Sequence, residues 1–319
     1  MTGLLSLRPE PAKLVRRQKG FSLAELAVAF VIIGLLLAGA LMPISAQMEV
    51  RSVADTRRTM DSIRDAIIGF AQSNGRLPCP ANGALAMGAA GAGTEQWDST
   101  NNRCTTALGV VPWSTLGVAE ADAWGRRFTY RVTSAFADAI SNATYAATTT
   151  IAPANAALAS PANQSPACSA PVPTPALSTF AMCSLGDIAV FTRSDSTHAT
   201  SAIAAGIPAI IISHGKNGYG AFQPSGTRVI GSGDGNSDGV PDQNVDEASN
   251  INGTTQLTAV AVTGSSYLHN AYISRNASTA TSSCSDSTAG SPFCEFDDIV
   301  LAISPSTLMT RMISAGRLP

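Results

Sequence analysis

The sequence predicts an α+β fold in which one long amino-terminal helix precedes a sheet, and three observations predict it. A 22-residue apolar run from Phe21 to Met42 passes without a turn signal into an amphipathic helical pattern. The first strong stop is Asn74-Gly75, with Pro78 just beyond. After that stop come short apolar or alternating runs separated by Gly, Pro, Asn and Asp, which read as strands. Helix first and strands after is an α+β order, not a succession of βαβ units.

The helix takes residues 21–74, about 80 Å at about 1.5 Å per residue. Its first half, 21–42, is apolar all round and long enough to cross a hydrocarbon core of about 30 Å. Its second half is amphipathic, with Val53, Met60, Ile63, Ile67 and Phe70 on one face. Pro43, between the halves, is expected to kink it. Residues 1–20 hold five basic side chains (Arg8, Lys13, Arg16, Arg17, Lys19) against Glu10 alone, while the whole chain is at −2. A basic head before an apolar span places residues 1–20 in the cytoplasm and the remainder outside it. The small negative net charge argues against nucleic acid as the main partner. Charged residues are 13% of the chain, about half of the usual share of roughly 25%, which suits a partly membrane-embedded or polymerised protein.

Glu25 is the anomaly in the apolar run, because a carboxylate there costs a few kcal/mol unless it has a partner. One reading lets it snorkel to the interface. The residues around it carry another. Lys19-Gly20-Phe21-Ser22-Leu23-Ala24-Glu25, followed by about 20 apolar residues, resembles the prepilin motif of type IV pilins and type II secretion pseudopilins. The resemblance implies that a prepilin peptidase cuts between Gly20 and Phe21 and methylates the new amino terminus. It also implies that Glu25 neutralises a neighbouring subunit's amine as helices bundle into a filament. The implied fold packs an antiparallel sheet on the second half of the helix. The implied partners are the peptidase, other pilin or pseudopilin subunits and the bacterial inner membrane.

Residues 75–319 form the exported body in this reading. Its six cysteines (Cys79, Cys104, Cys168, Cys183, Cys284, Cys294) are even in number, as expected of disulfides outside the cytoplasm. Sequential pairing is expected: Cys79–Cys104, Cys168–Cys183 and Cys284–Cys294. Strands are expected at Arg126–Thr133, Gly186–Arg193, Ile207–Ser213, Leu257–Thr263 and Phe296–Ser304. A closing helix is expected over Pro305–Ala315, with Leu308, Met309, Met312 and Ile313 on one side. Residues 134–180, nearly all Ala, Ser, Thr, Asn and Pro, read as an exposed insertion, glycosylated or bare. Several further stretches resemble one subgroup of pilin-like proteins: Gly75 to Ala81, Gly109 to Trp113, Asp122 to Tyr130, Ser213 to Gly218 and Phe296 to Val300.

Asp234-Gly235-Asn236-Ser237-Asp238-Gly239, with Asp242, fits the start of a calcium loop whose alternate oxygens converge on one side. Val245 stands at position 12, so this is no EF-hand, although Asp246 and Glu247 follow and are candidate substitutes. The alternative is a metal-free turn. Enzyme signatures are missing: no P-loop, no H-E-x-x-H and no G-x-S-x-G. His214, at a strand end, reads as structural. Asp297 and Asp298, as strand neighbours, are expected to face opposite sides. The sequence therefore points to a non-enzymatic minor pilin or pseudopilin, with a filament-tip adhesin as the alternative.

Overall fold

The computed structural model describes residues 22–100, 102–138, 178–180, 184, 186–229, 245–253, 270–280 and 283–318, with backbone alone over 36–46. The expected cleavage site Gly20–Phe21, the acidic run Asp234 to Asp242, Cys168, Cys183, the strand Leu257–Thr263 and most of the 134–180 insertion lie outside the described residues.

Helix α1 spans Leu23–Asn74 and is helical across Pro43. Its start has a local cause. Ser22 donates from its amide (2.8 Å) and hydroxyl (3.0 Å) to Glu25 Oε2, and the Glu25 amide points back at Ser22 Oγ (3.3 Å). This reciprocal S-x-x-E pair is a capping box, so Glu25 has a partner within its own chain. The end also has one: Gly75, at φ 72°, turns the chain, and its amide reaches Ala71 O at 2.7 Å. Arg317 donates from Nε to Gln72 O at 2.7 Å and from Nη2 to Ser73 O, satisfying two terminal carbonyls of the helix.

The chain divides after Arg51 into two units. In the first, Leu23, Val28, Phe30, Val31 and Leu35 are exposed. Among the described residues no helix is long and apolar enough to cross a membrane. The span expected at 21–42 lies only partly within them.

The second unit, Ser52–Pro319, is built in layers. A hairpin, β1 (Trp97–Asp98) with β2 (Arg103–Cys104), precedes the main sheet. That sheet is antiparallel, in the order β3 (Leu108–Val110), β4 (Thr129–Val132), β7 (Ala209–Ser213), β9 (Ile299–Ile303). A second sheet has the order β6 (Thr200–Ile207), β5 (Ile188–Arg193), β8 (Asn270–Ile273). Three short helices, α2 (Trp113–Leu116), α3 (Ser134–Ala137) and α4 (Val245–Asn252), lie between strands, and α5 (Pro305–Ser314) closes the chain.

One face of the main sheet (Tyr130, Val132, Ile211, Ile303) packs with Met60, Ile63 and Ile67 of α1 and with Leu308 and Met312 of α5. The opposite face (Ile210, Ile212) packs with Ile188, Val190 and Tyr272 of the second sheet. All four residues of β4 are therefore buried, where alternation alone suggests a half-exposed strand. Burial requires its polar residues to be paired: Arg131 Nη2 donates to Asp187 Oδ2 at 3.1 Å, and Thr129 Oγ1 meets His214 Nε2 at 2.9 Å.

Several expectations are corrected. Among the described residues the strands form not one sheet but two larger sheets beside the β1–β2 hairpin, and the second of these is mixed, since β5 and β8 pair in parallel. The run Ile207–Ser213 serves both sheets: Ile207 ends β6 and Ala209 starts β7, with Pro208, which has no amide to donate, at the crossing. Ile313 is 44% exposed rather than part of the buried side of α5. The two ends of the stretch read as an exposed insertion belong to the core, for Phe136 and Phe180 are buried with ring centroids 4.9 Å apart.

Cys79 is bonded to Cys104 (Cα–Cα 5.3 Å) and Cys284 to Cys294 (4.9 Å). Beside the first bond, Asp138 Oδ1 accepts the Cys104 amide at 2.8 Å, and burial pushes the carboxyl up to about 6. A raised carboxyl favours the fold while protonated, so its contribution is full below about pH 4 and is lost as pH rises through 6. Asp138→Asn keeps the acceptor and removes the charge. Thermal melts should therefore give equal stability at pH 4 and a more stable variant at pH 7; a constant difference between the two proteins would refute the assignment.

Candidate functional site

Three segments meet at the end of the main sheet. The first is the turn that follows β7. His214 comes next after the strand, and Gly215 (φ 54°) and Gly218 (φ 68°) turn the chain back, with the Gly218 amide on His214 O at 2.9 Å. A Cβ on Gly215 would lie 2.5 Å from the Asp297 carboxylate, so only glycine lets the turn approach that residue. Arg126 clasps the turn from outside, donating to Gly215 O (2.9 Å) and Asn217 O (3.1 Å). Two stretches far apart in sequence, Asp122–Tyr130 and Ser213–Gly218, are thereby one structural unit; Ser213 Oγ also donates to Asp122 Oδ2 at 2.6 Å.

The second segment is α4 and the third is Asp297-Asp298, just before β9. Asn217 joins all three: its amide donates to Asp297 Oδ2 (2.8 Å), and its Nδ2 donates to Glu247 Oε1 and Oε2 (3.1 and 3.0 Å). The Asp297 amide donates to Glu247 Oε1 at 3.0 Å. Asn250, one turn along α4, donates from Nδ2 to Asp298 Oδ2 at 2.8 Å. Glu247, Asp297 and Asp298 thus bring one carboxylate oxygen each within 4.8 Å of one another.

Opposing strand faces were expected for Asp297 and Asp298. The structure corrects this: β9 begins at Ile299, so the alternation of a strand does not govern the two residues before it. Asp246 and Glu247, both candidate calcium ligands by sequence, separate in role. Asp246 accepts from Arg193 Nε (2.6 Å) and Arg275 Nε (2.7 Å), while Glu247 enters the carboxylate cluster.

Three atoms here have hydrogen-bonding capacity and no hydrogen bond: Asp297 Oδ1, Asp298 Oδ1 and His214 Nδ1. His214 is fully buried, and its Nδ1 lies 3.4 Å from Asp298 Oδ1. An unsatisfied buried polar atom costs about 1–3 kcal/mol, a cost that the facing His214 Nδ1 and Asp298 Oδ1 offset in part. Burial, reinforced by the charges of Asp298 and Asp297, pushes the Glu247 carboxyl up to about 9. Burial likewise pushes Asp297 up to about 6. A divalent cation among these oxygens relieves the repulsion and fills the open lone pairs. The cluster could therefore hold a metal ion. A cavity of about 280 Å³ lined by Arg57, Asp61, Ser274 and Asp298 opens beside it.

The stretches Ser213–Gly218 and Phe296–Val300 were visible in the sequence as a resemblance. Glu247 and Asn250 were not visible as partners of either, since nothing in Val245–Asn252 marks which residues face the cluster.

Residues 15–41 match the family described as the prokaryotic N-terminal methylation motif, the signature of type IV pilins and pseudopilins. No curated protein and no solved structure matches the chain. The motif is that of pilin-like structural subunits, which a prepilin peptidase processes and which assemble with other subunits.

Proposed function

We propose that this chain is a minor pilin or pseudopilin. The peptidase removes residues 1–20 and methylates Phe21; residues 21–42 anchor the mature chain in the bacterial inner membrane, and the body lies in the periplasm or, within a pilus, outside the cell. There it joins a type IV pilus or a type II secretion filament. The observation that carries this reading is the methylation motif at 15–41 running straight into a capped helix whose first apolar residues are exposed. Mass spectrometry of membrane-extracted protein should give a methylated chain starting at Phe21, and a non-reducing digest should contain the linked pair Cys168–Cys183. Intact residues 1–20 in cells that contain the peptidase would overturn the processing.

Calcium is the cation of the body in this reading. What supports it is the all-carboxylate set Glu247, Asp297 and Asp298, since hard oxygen donors suit calcium. The acidic run Asp234, Asn236, Asp238 and Asp242, outside the described residues, is a second candidate set of oxygen donors by sequence. A ligand that binds only the folded chain stabilises it by about 1.4 kcal/mol at tenfold excess over Kd. Calcium should raise the melting temperature of the wild type, and Asp298→Asn should remove the rise. If Asp234→Ala/Asp238→Ala removes it and Asp298→Asn does not, the ligands are those of the acidic run alone.

A further inference from the structure

The loop closed by Cys284 and Cys294 reaches the carboxylate cluster by two routes: along the chain, since Cys294 lies three residues before Asp297, and across space through α4. Asp286 lies inside that loop and is fully buried. Its Oδ1 accepts from the Cys294 amide (3.0 Å) and from Arg275 Nη2 (3.1 Å). Its Oδ2 takes the Asp246 amide (3.4 Å) in the first turn of α4. Asp286 is thus a cap for α4 supplied by a distant segment, satisfying one of the amides that a helix start leaves open. Arg275 tightens the same joint: it donates to Asp246 Oδ2 at 2.7 Å and lies over the rings of Phe293 and Phe296, at 4.7 and 4.4 Å. Phe293 belongs to the disulfide loop.

The residue after Asp246 is Glu247, and Asn250 follows one turn on. The joint that fixes Asp246 therefore fixes where Glu247 meets Asp297 and where Asn250 grips Asp298. Within 283–293 no helix or strand holds the loop in place. Its own backbone bonds are few: Ser285 N to Pro292 O at 3.0 Å and Ser291 N to Thr288 O at 3.2 Å. The covalent closure holds a buried carboxylate where its partners can reach it. Opening the bond frees the loop to expose Asp286 to water, which a buried charge favours, and α4 then loses its cap.

We propose that the Cys284–Cys294 bond, acting through Asp286 and α4, positions Glu247 and Asn250 for a divalent cation, so that the site loads only in the oxidised chain. The proposal rests on the reading of the carboxylate cluster as a cation site. It gives the bond a role beyond general stabilisation: the cation is taken up where disulfides form and not in a reducing compartment. The other described bond, Cys79–Cys104, is the internal control. Its surroundings are Asp138, Arg76 and Glu95, none of them in the cluster.

The test is calorimetric titration of the full chain in detergent with calcium, magnesium or manganese, and near-UV circular dichroism to establish that each variant is folded. Cys284→Ser/Cys294→Ser and, with the bond intact, Asp286→Asn should each weaken binding about tenfold or more. Cys79→Ser/Cys104→Ser should change it less than about twofold, the scatter expected of an uncoupled site. If the wild type binds none of the three cations, the cluster reading fails and this proposal with it. If the wild type binds, Asp298→Asn abolishes binding, and folded Asp286→Asn binds as the wild type does, the cluster reading stands and the linkage is overturned. Equal weakening by loss of either disulfide would also overturn it, because the effect would then be general destabilisation.

Discussion

Glu25→Ala protein is expected to stay in the membrane and to be almost absent from filaments. Two losses combine. The capping box at Ser22–Glu25 goes, which costs about 0.5–2 kcal/mol at the helix start. The larger loss is the carboxylate that would neutralise the new amine of a neighbouring Phe21, a charge that is expensive to leave unpaired among apolar helices. Ser22→Ala separates the two. It removes the hydroxyl from the cap and leaves the carboxylate, so it should lower helix order while filaments still form. Counting the protein in sheared filaments against membranes reads both variants. Normal assembly of Glu25→Ala chains, or equal failure of Ser22→Ala chains, would place the role of Glu25 in the cap alone.

Arg127→Ala should cause a large loss of stability in the body. Arg127 is fully buried. It donates to Glu120 Oε1 from Nε (2.9 Å) and Nη2 (2.6 Å), to Gly83 O (2.8 Å) and to Leu85 O (2.6 Å), and it lies 4.5 Å over the Trp113 ring. It thus ties the 80s loop, the α2 region and the approach to β4 into one piece. Truncation leaves Glu120 and three carbonyls, those of Gly83, Leu85 and Pro224, without this donor; breaking a buried pair costs about 3–5 kcal/mol. For a domain of this size that is a fall in melting temperature of roughly 10 °C. Arg127→Lys keeps the charge but not the planar fork, so it should fall between the two. A drop for Arg127→Ala within about 3 °C, a change of about 1 kcal/mol, would mean that water replaces these bonds.

The sequence by itself determined the features that depend on neighbours along the chain. A helix is a local structure, so the apolar run and the Asn74-Gly75 stop were enough to bound α1 within two residues. The leader motif is likewise a linear string that an enzyme reads as such. Short runs rich in β-branched residues gave most of the main sheet, though with ends misplaced where Pro208 and the Asp122–Arg126 turn intervene.

Only the tertiary structure decided how these pieces meet. Whether a strand is covered on one face or both depends on a second sheet that pairs β5 with β8 across about eighty residues, and no periodicity encodes that partner. The carboxylate cluster was hidden for the same reason. Asp297 and Asp298 look divergent only if the strand starts at Phe296, three residues before β9, and Glu247 looks like the tail of an acidic loop. Their convergence is set by Asn217 and Asn250, each of which is an ordinary polar residue in the sequence and becomes a joint only when the turn after β7, α4 and the start of β9 are packed together. Side-chain hydrogen bonds between distant segments fix such a site, and their energy exists only once the fold has brought the partners within about 3 Å.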